Sequence, residues 1–248
     1  MAYSMNIHLL ELNEDCEQSH VELICHNPAL IPNNNSGYLG YPVECSPLFK
    51  KHNLILKRIF DIIISVIIIA FLCSWLLPLI ALLIKIDSSG PIFFIQKRNK
   101  KNSKLFYCIK LRTMVVNKAG ETLTAISNDN GITRFGKFLR ASHLDELPQF
   151  INVLIGDMSV VGPRPHKVTE NVKYNRILNF YNHRHFVKPG ITGLAQSFGY
   201  HGPVPNMSHL NKKIRYDIFY IKNWSVLLDV KILIRTIGMI FKKLKTVQ

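Results

Sequence analysis

The amino-acid sequence predicts an α/β fold, rich in helix, in which a compact cytoplasmic domain follows one N-terminal membrane helix. Residues 62–84 form an uncharged, apolar run of membrane length. Two short strand-like segments follow, over 92–96 and 105–112. The chain then reads as short helices and loops and ends in an amphipathic helix. A length of 248 residues suits one such domain with appendages.

The first 50 residues look like an extension of the domain. This segment holds six acidic residues and one basic residue, whereas the rest of the chain holds ten acidic and thirty basic residues. Its prolines and the run Ile-Pro-Asn-Asn-Asn-Ser-Gly at 31–37 are typical of loops. We therefore predict an acidic, partly disordered extension over 1–50, without a cleavable signal peptide.

The apolar run predicts a membrane helix, because about 20 apolar residues suffice to cross the hydrocarbon core. Pro78 removes a backbone hydrogen bond and should kink this helix. Basic residues flank the run on both sides, and positive charge marks the cytoplasmic face of a membrane. A re-entrant helix hairpin over 51–86, broken near Pro78, would keep the basic residues on both sides of the run at the cytoplasmic face. A kinked spanning helix remains the alternative.

The domain over 87–248 begins with a predicted β-hairpin, whose strands are joined by Asn-Lys-Lys-Asn-Ser at 99–103. A short helix is predicted over 135–140, and another after residue 146. The last helix runs from about 225 to 244, with Ser225 as a plausible N-cap. Lysines near its end suit an interfacial helix on anionic lipid, although a helix that closes the soluble core fits the pattern equally well.

Cysteine content and net charge restrict the functional classes. The five cysteines are scattered, with no Cys-x-x-Cys pair and no zinc-like spacing, which indicates free thiols in a reducing compartment. The formal net charge of +15 predicts an anionic partner: nucleic acid, nucleotide, phospholipid or polyprenyl phosphate. Composition alone does not choose among these partners.

Asp145 and Glu146 form an adjacent acidic pair in this basic region. Pro148 is tolerated only in the first turn of a helix, so a helix through 150–154 must begin near the pair. A helix N-terminus stabilises carboxylates, and capping alone would account for two acids there. Adjacent like charges repel, however, so the pair also suggests a cation or an electrophile placed between them.

Basic residues surround the acidic pair in the sequence. Arginine binds phosphate oxygens bidentately and lysine binds them as a point charge. These basic residues, together with the two carboxylates and the membrane segment, suggest metal-assisted phosphoryl transfer. Each basic residue taken singly would also fit a solvated surface charge. The residues predicted to bind phosphate are Lys110, Arg112, Arg140 and Arg164. Pro163 and Pro165 restrict the backbone on both sides of Arg164 and so fix the direction of its side chain. Asp157, Pro78, Pro163 and Pro165 are predicted to have a secondary, structural role.

Seven motifs occur in order over about three quarters of the chain, from Lys57 to Thr236. They are K-R-x-F-D at 57–61, S-G-P-I-F-F-x-Q-x-R at 89–98, K-L-R-T-M at 110–114, R-x-S-x-L-D-E-L-P-Q at 140–149, N-V-x-x-G-D-M-S-x-V-G-P-R-P at 152–165, K-P-G-I-T-G-x-x-Q at 188–196 and W-S-x-x-x-D at 224–229. In this combination the chain resembles the bacterial sugar transferases. These are the monotopic polyprenyl-phosphate phosphoglycosyl transferases that start the assembly of O-antigen, capsule and exopolysaccharide.

The resemblance implies transfer of a sugar-1-phosphate from a UDP-sugar to undecaprenyl phosphate, with release of UMP. It implies that Asp145 is the nucleophile that forms a phosphosugar–enzyme intermediate, and that Glu146 helps bind Mg²⁺ or Mn²⁺. Lys110, Arg140 and Arg164 are expected to hold phosphates. The membrane helix is expected to be re-entrant.

The expected location is the bacterial inner membrane, with the catalytic domain on its cytoplasmic face. The expected partners are a UDP-sugar, undecaprenyl phosphate and membrane lipid, and no nucleic acid. Downstream glycosyltransferases are possible further partners, and the oligomeric state stays open, with a homodimer as one alternative.

Several residues depart from the pattern of the family. His143 is an unusual residue inside the acidic motif, the proline of the membrane helix arrives at Pro78 rather than directly after Ser74, and Asn99 stands where glycine is common. Larger relatives carry a four-helix membrane domain in front, so the chain looks like a small-type enzyme with an acidic extension.

Three other functions stay open at this point. They are a membrane-tethered adaptor that binds nucleic acid or anionic lipid, an inactive family member, and an enzyme that hydrolyses the sugar nucleotide. The loop around 197–205 is expected to select the sugar. Glucose, galactose, N-acetylgalactosamine and bacillosamine-type donors all fit the sequence.

Overall fold

The computed structural model describes residues 46–116, 131–178, 180–202 and 204–245. The predicted extension over 1–50 therefore lies outside the described residues, except for its last five. These contain a 3-10 turn, Pro47–Phe49, which is capped by Ser46: its Oγ accepts a hydrogen bond from the Leu48 amide at 3.1 Å. Leu48 is buried in the main core, which joins the end of the extension to the domain.

The apolar run forms one continuous helical segment, Lys51–Asp87. Helix α1, Lys51–Ile68, passes through a π-helical segment, Ile69–Cys73, into helix α2, Ser74–Asp87. Among the described residues, this is the one helix long and apolar enough to cross a membrane.

Pro78 lies inside α2, so helical structure continues through the predicted break. The irregular turn lies before the proline, at the π segment. This displacement has a physical reason, because the proline ring lacks an N–H and clashes with the carbonyl four residues earlier.

Both halves of the membrane helix pack on the domain. Helix α1 buries Asp61 and Ser65. Helix α2 buries Ile80 and Ile84 in a small apolar cluster that also contains Leu111 and Leu139 of the domain. The remaining surface of the helix exposes large apolar side chains, among them Ile63, Ile67, Phe71, Trp75, Leu79 and Leu82.

The predicted β-hairpin is confirmed. Strand β1, Phe93–Asn99, pairs in antiparallel fashion with strand β2, Leu105–Leu111. The register places Phe93 opposite Leu111, and β1 runs three residues further than the segment predicted over 92–96. In β2, buried Phe106 and Cys108 alternate with exposed neighbours, the period expected of a half-buried strand.

The rest of the domain is mainly helical, with a second sheet of two short parallel strands. These strands pair through Ser159 with Gly190 and through Val161 with Thr192. The elements in chain order are α3, Arg134–Ser142; α4, Gln149–Ile155; β3, Ser159–Val161; α5, Val168–Ile177; β4, Gly190–Thr192; α6, Leu194–Ser197; α7, Met207–Lys222; and α8, Val226–Lys245.

The main core lies between α7 and the second sheet. Helix α7 buries Leu210, Ile214, Ile218 and Ile221 at helical spacing, in the same cluster as Val160 of β3. This packing fixes the end of β3, from which the loop that carries Arg164 departs. The domain is therefore mixed and helix-rich with one long apolar helix, as the sequence predicted, but its second small sheet was not predicted.

Helix α8 confirms the predicted C-terminal helix and its cap. The Ser225 hydroxyl accepts a hydrogen bond from the Leu228 amide at 3.1 Å. The helix buries Ile232 in the core, so it does close the domain. It also exposes an apolar stripe at alternating steps of three and four residues, comprising Leu227, Val230, Ile234, Ile237 and Phe241.

Candidate active site

The acidic pair lines a cavity of about 410 Å³ that also touches β1, β2, α3 and the loop after β3. Cationic side chains dominate the polar part of its wall. Lys110 comes from β2, Arg140 from α3 and Arg164 from the loop after β3. Three of the four basic residues predicted to bind phosphate are therefore brought together around Asp145 and Glu146.

A 3-10 turn, Leu144–Glu146, holds the acidic pair. The turn follows His143, whose left-handed backbone conformation (φ 58°) ends α3 and redirects the chain. This corrects the prediction that the pair occupies the first turn of an α-helix. Helix α4 begins only at Gln149, with Pro148 as its N-cap. Pro148 has no backbone N–H, so it cannot donate the hydrogen bond that would extend the helix back through the acidic pair.

Glu146 is fixed by two cations. Its Oε1 accepts a hydrogen bond from Lys110 Nζ at 2.6 Å, and the Arg164 guanidinium binds both carboxylate oxygens, with Nη1 to Oε2 at 2.9 Å. Burial alone would raise the pKa of Glu146, but the two cations outweigh it and hold that pKa far below its usual range. Glu146 is therefore an anion at every physiological pH.

Asp145 has the opposite environment. It is 9% exposed, and within the described parts of the chain no hydrogen bond holds its carboxylate. Burial raises its pKa, and the neighbouring Glu146 raises it further, to about 6. Two adjacent carboxylates whose environments drive their pKa values apart are typical of a site that assigns them different chemical roles.

Hydrogen bonds to the backbone and to neighbouring side chains position the cations around the pair. Arg140 Nε donates to Thr113 Oγ1 at 2.8 Å. On either side of Arg164, the Pro163 carbonyl accepts a hydrogen bond from the Gly190 amide at 3.0 Å, and the Pro165 carbonyl accepts one from the Arg98 guanidinium. The loop that presents Arg164 is thus tied to both sheets.

Lys110 owes its position to a contact between β2 and α4. The side-chain amide of Asn152 accepts a hydrogen bond from the Ile109 amide at 3.0 Å and donates one to the Tyr107 carbonyl at 2.8 Å. These bonds fix the outer edge of β2 against α4. The Lys110 ammonium group therefore reaches Glu146 from a rigid strand rather than from a loop.

Arg112 and Asp157, two of the predicted charged residues, lie apart from this cavity. Arg112 is 2% exposed, and its guanidinium donates to the carbonyls of Ser88 and Ser89 at 2.6 Å each, just after α2. Its position gives no support to a phosphate-binding role. Asp157 forms an ion pair with Lys100, outside the residues that line the cavity.

The structure adds residues that sequence reasoning did not assign to the site. Arg98 lines the cavity, and its Nη2 donates a hydrogen bond to Gln96 Oε1 at 2.6 Å. Its position in the motif at 89–98 could have indicated that it belongs to the site. His143 and His201 line the cavity with ring centroids 6.1 Å apart, and Lys243 joins them from α8. No local pattern could reveal Lys243, since it lies about 100 residues downstream of the acidic pair.

The loop predicted to select the sugar reaches the cavity. His201 and Gly202 belong to this loop, around 197–205, and both line the wall. Pro203 of the same loop lies outside the described residues. The expectation that this loop selects the sugar therefore stays a prediction, with a position that suits it.

A carboxylate pair among fixed cations, on a domain with a membrane-length apolar helix, defines a membrane-associated protein with a site suited to phosphate groups. A family model described as "Bacterial sugar transferase" matches residues 52–243. The chain belongs to the bacterial sugar transferase family. Membrane association follows from this family together with the long apolar helix.

Curated relatives agree with this assignment. The chain is similar to a UDP-glucose:undecaprenyl-phosphate glucose-1-phosphate transferase of Xanthomonas campestris pv. campestris, with 47% identity over 186 residues, 74% of this chain and 38% of the relative. A protein of the same name from Klebsiella pneumoniae is 46% identical over 203 residues, 80% of this chain and 43% of the relative. The chain thus spans about two fifths of the length of these two relatives.

A third relative is covered almost completely. The exopolysaccharide production protein PSS of Rhizobium leguminosarum bv. phaseoli is 41% identical over 191 residues, which is 75% of this chain and 94% of the relative. The matched region in all three corresponds to the domain and its membrane helix in length.

Proposed function

We propose that the protein is a phosphoglycosyl transferase that moves a sugar-1-phosphate from a UDP-sugar to undecaprenyl phosphate and releases UMP. The observation that carries this proposal is the division of roles within the acidic pair. Glu146 is held by Lys110 and Arg164, whereas Asp145 lines the same cavity with a carboxylate that no described donor binds. A carboxylate placed among phosphate-binding cations is suited to attack phosphorus.

In the first half-reaction, a carboxylate oxygen of Asp145 attacks the β-phosphorus of the UDP-sugar. A bond forms between this oxygen and phosphorus, and the bond from phosphorus to the bridging oxygen breaks, so UMP leaves with that oxygen. Arg140 and Arg164, which line the cavity, would bind the phosphate oxygens as charge shifts towards the leaving group. Asp145 now carries a sugar phosphate as an acyl phosphate.

In the second half-reaction, a phosphate oxygen of undecaprenyl phosphate attacks the phosphorus held by Asp145. The bond between Asp145 and phosphorus breaks, and the carboxylate is regenerated. The product is undecaprenyl-diphosphate-sugar. Its release would supply downstream glycosyltransferases that extend O-antigen, capsule or exopolysaccharide. The oligomeric state, with a homodimer as one alternative, stays open.

We propose that Mg²⁺, or Mn²⁺ in its place, is held by Glu146 together with the diphosphate of the donor. The described residues contain no group of three or more His, Cys, Asp or Glu side chains able to hold a metal. Magnesium is commonly bound by one or two carboxylates and by substrate phosphates, and the ionised Glu146 beside Asp145 fits such a partial site. The metal would offset the negative charge of the diphosphate.

UDP-glucose is the donor that we propose to test first. The relatives from Xanthomonas campestris and Klebsiella pneumoniae, and one from Escherichia coli at 44% identity, are all named as glucose-1-phosphate transferases. An N-acetylgalactosaminephosphotransferase of Aeromonas hydrophila is 43% identical, so UDP-N-acetylgalactosamine is the second donor to test.

We place the protein at the bacterial inner membrane, with the domain on its cytoplasmic face and the apolar helix re-entrant. Two observations support this placement: α1 and α2 both pack on one domain, and basic residues flank both ends of the helix. The exposed apolar stripe of α8 then lies at the interface, with Lys231 and Lys242 on its polar flank.

The test is release of UMP by purified protein, with undecaprenyl phosphate and a panel of UDP-sugars. We expect UMP and lipid-linked sugar in equal amounts, loss of both in EDTA, and recovery with Mg²⁺. UMP released without a lipid product would indicate hydrolysis of the donor. Absence of UMP with every donor would favour the adaptor or the inactive family member and overturn the proposal.

A further inference from the structure

A second cavity, of about 640 Å³, adjoins the candidate active site and is almost entirely apolar. One wall is the membrane helix, through Ile68 and Leu72. Helix α8 forms another part of the wall, through Leu233, Ile237 and Ile240. The cavity therefore lies between the segment most suited to lipid and the helix that closes the domain.

The two cavities meet at a shared wall. His143, Glu146, His201 and Lys243 line both of them. A long ligand could thus keep an apolar part in one cavity while its polar end enters the other. The shared wall offers the Lys243 ammonium group and two imidazole rings to that polar end. Burial lowers the pKa of His143 to about 4 and also lowers the pKa of His201, so both rings are neutral hydrogen-bonding groups. The Glu146 carboxylate on this wall is already paired with Lys110 and Arg164, so Lys243 is the charge that suits a phosphate.

The π segment lies where the membrane helix lines the apolar cavity. Ile68 directly precedes this segment, and Leu72 lies within it. A π turn widens a helix locally and is frequent at functional sites. Next to these two residues, Ile67 and Phe71 are 47% and 77% exposed, so the cavity borders the membrane-facing surface of the helix.

A larger cavity, of about 1000 Å³, lies between α7 and α8 and is the obvious competitor. It is also apolar, with Arg235 stacked on Phe198 at 3.7 Å from the ring centroid. Among the described residues, however, it has no lining residue in common with the candidate active site. Its lining therefore offers no direct connection to Asp145.

We propose that the cavity between the π segment and α8 holds the isoprenoid chain of the acceptor, and that His143, His201 and Lys243 guide its phosphate to Asp145. This inference rests on the proposed function and concerns its second half-reaction alone. The donor requires only the polar cavity. The two half-reactions therefore depend on different walls and can be tested separately.

The test uses Leu72→Trp and Ile240→Trp, which fill the cavity from its two sides. Phe71→Trp and Ile234→Trp are the matched controls, since these exposed residues adjoin the cavity in sequence but do not line it. Formation of the Asp145 adduct from UDP-glucose and Mg²⁺, without acceptor, should be the same in all five proteins. Transfer to undecaprenyl phosphate should lose about tenfold or more in kcat/KM in the two filling variants only.

The outcomes separate the inference from the proposed function. If wild-type protein forms no adduct and releases no UMP, the proposed function fails. If all variants form the adduct and transfer it at the wild-type rate, the function stands and the acceptor cavity is wrong. Loss of transfer in Ile234→Trp, which borders the larger cavity, would place the acceptor between α7 and α8 instead.

A second measurement needs no variant and covers the case in which a filling variant fails to fold. A polyprenyl phosphate with a photoreactive group on its isoprenoid chain is irradiated with wild-type protein, and the cross-linked peptides are identified. We expect cross-links at 68–72 and 233–240. Cross-links confined to 198–219 would contradict the inference.

Discussion

Two adjacent carboxylates in this protein have opposite environments, and the geometry of a single turn explains why. In a 3-10 turn, successive side chains point roughly 120° apart. Glu146 therefore meets Lys110 and Arg164, while Asp145 lines the cavity without a hydrogen-bonded partner among the described residues. The sequence predicted the pair and three of its cations. It could not predict which acid takes the cations, since that depends on the left-handed turn at His143.

Asp145→Asn should make the protein more stable while it abolishes adduct formation. The pKa of Asp145 is higher in the folded than in the unfolded protein, so folding favours the protonated carboxyl group. Its contribution to the free energy of unfolding is therefore fully present below about pH 4 and is lost as the pH rises through about 6. At neutral pH the buried charge therefore destabilises the fold, and its removal should contribute about 1–3 kcal/mol. Thermal unfolding in detergent at pH 7.5 measures this change.

Glu146→Gln is the matched control for that experiment, and its effect should have the opposite sign. It leaves Lys110 and Arg164 beside a neutral amide, so two partly buried cations lose their counter-charge. The free energy of unfolding should fall by about 1–3 kcal/mol. Equal shifts of the two variants in one direction would contradict the division of roles.

The rate of adduct formation should fall in acid. In the proposed mechanism Asp145 attacks as a carboxylate, and burial raises its pKa to about 6. Below that pH the rate should drop about tenfold for each pH unit, because the ionised fraction falls in that proportion. Rapid-quench measurement of the adduct between about pH 5 and pH 8 tests this expectation. A rate that does not change over this range would show that the nucleophile does not titrate near pH 6, which would contradict this prediction.

Among the helices and strands, two sequence motifs that had no assigned role form one buried polar cluster. They are K-R-x-F-D at 57–61 and W-S-x-x-x-D at 224–229. Lys57 of α1 forms ion pairs with Asp229 of α8 at 2.7 Å and with Asp61 at 3.5 Å. Asp61 also accepts hydrogen bonds at 2.9 Å from the Ser159 hydroxyl and the Val160 amide. The cluster joins the membrane helix to β3 and α8. Lys57 and Asp229 are 172 residues apart in the sequence, so no local sequence pattern could predict that they form an ion pair.

Lys57→Met should strongly destabilise the protein without touching the acidic pair. The change leaves Asp61 and Asp229 buried without their shared cation, which typically costs about 3–5 kcal/mol. Lys85→Met, at an exposed position of α2, is the control and should change stability little. Chemical denaturation in detergent provides the comparison. A small effect for Lys57→Met would show that the cluster does not anchor the helix.

At the scale of the whole molecule, the site assembles from elements that lie far apart in the sequence. Composition, the apolar run and strand alternation were enough to predict the helix-rich domain, the hairpin and the C-terminal helix. The cavity could not be predicted in this way. It needs β2, the loop of Arg164 and α8 to converge, and that convergence depends on tertiary packing rather than on local preference.

The re-entrant placement predicts that both ends of the membrane helix are reached from the cytoplasmic side. His52→Cys and Lys85→Cys each place one exposed thiol at an end of the helix, in a background where Cys16, Cys25 and Cys45 are serine and the buried Cys73 and Cys108 remain. The same background without either new cysteine is the control for labelling of Cys73 and Cys108. A membrane-impermeant maleimide should label both in inverted vesicles and neither in intact spheroplasts. Labelling of one end from each side would establish a spanning helix and contradict the placement.

Asp145 is proposed to carry the sugar phosphate as a covalent intermediate, and mass spectrometry of the protein with UDP-glucose and Mg²⁺, without acceptor, would detect this intermediate itself. We expect a mass gain of one hexose phosphate on the peptide that contains Asp145, loss of this gain when undecaprenyl phosphate is added, and no gain in Asp145→Asn. Turnover without any adduct, or an adduct that persists in Asp145→Asn, would show that Asp145 is not the nucleophile.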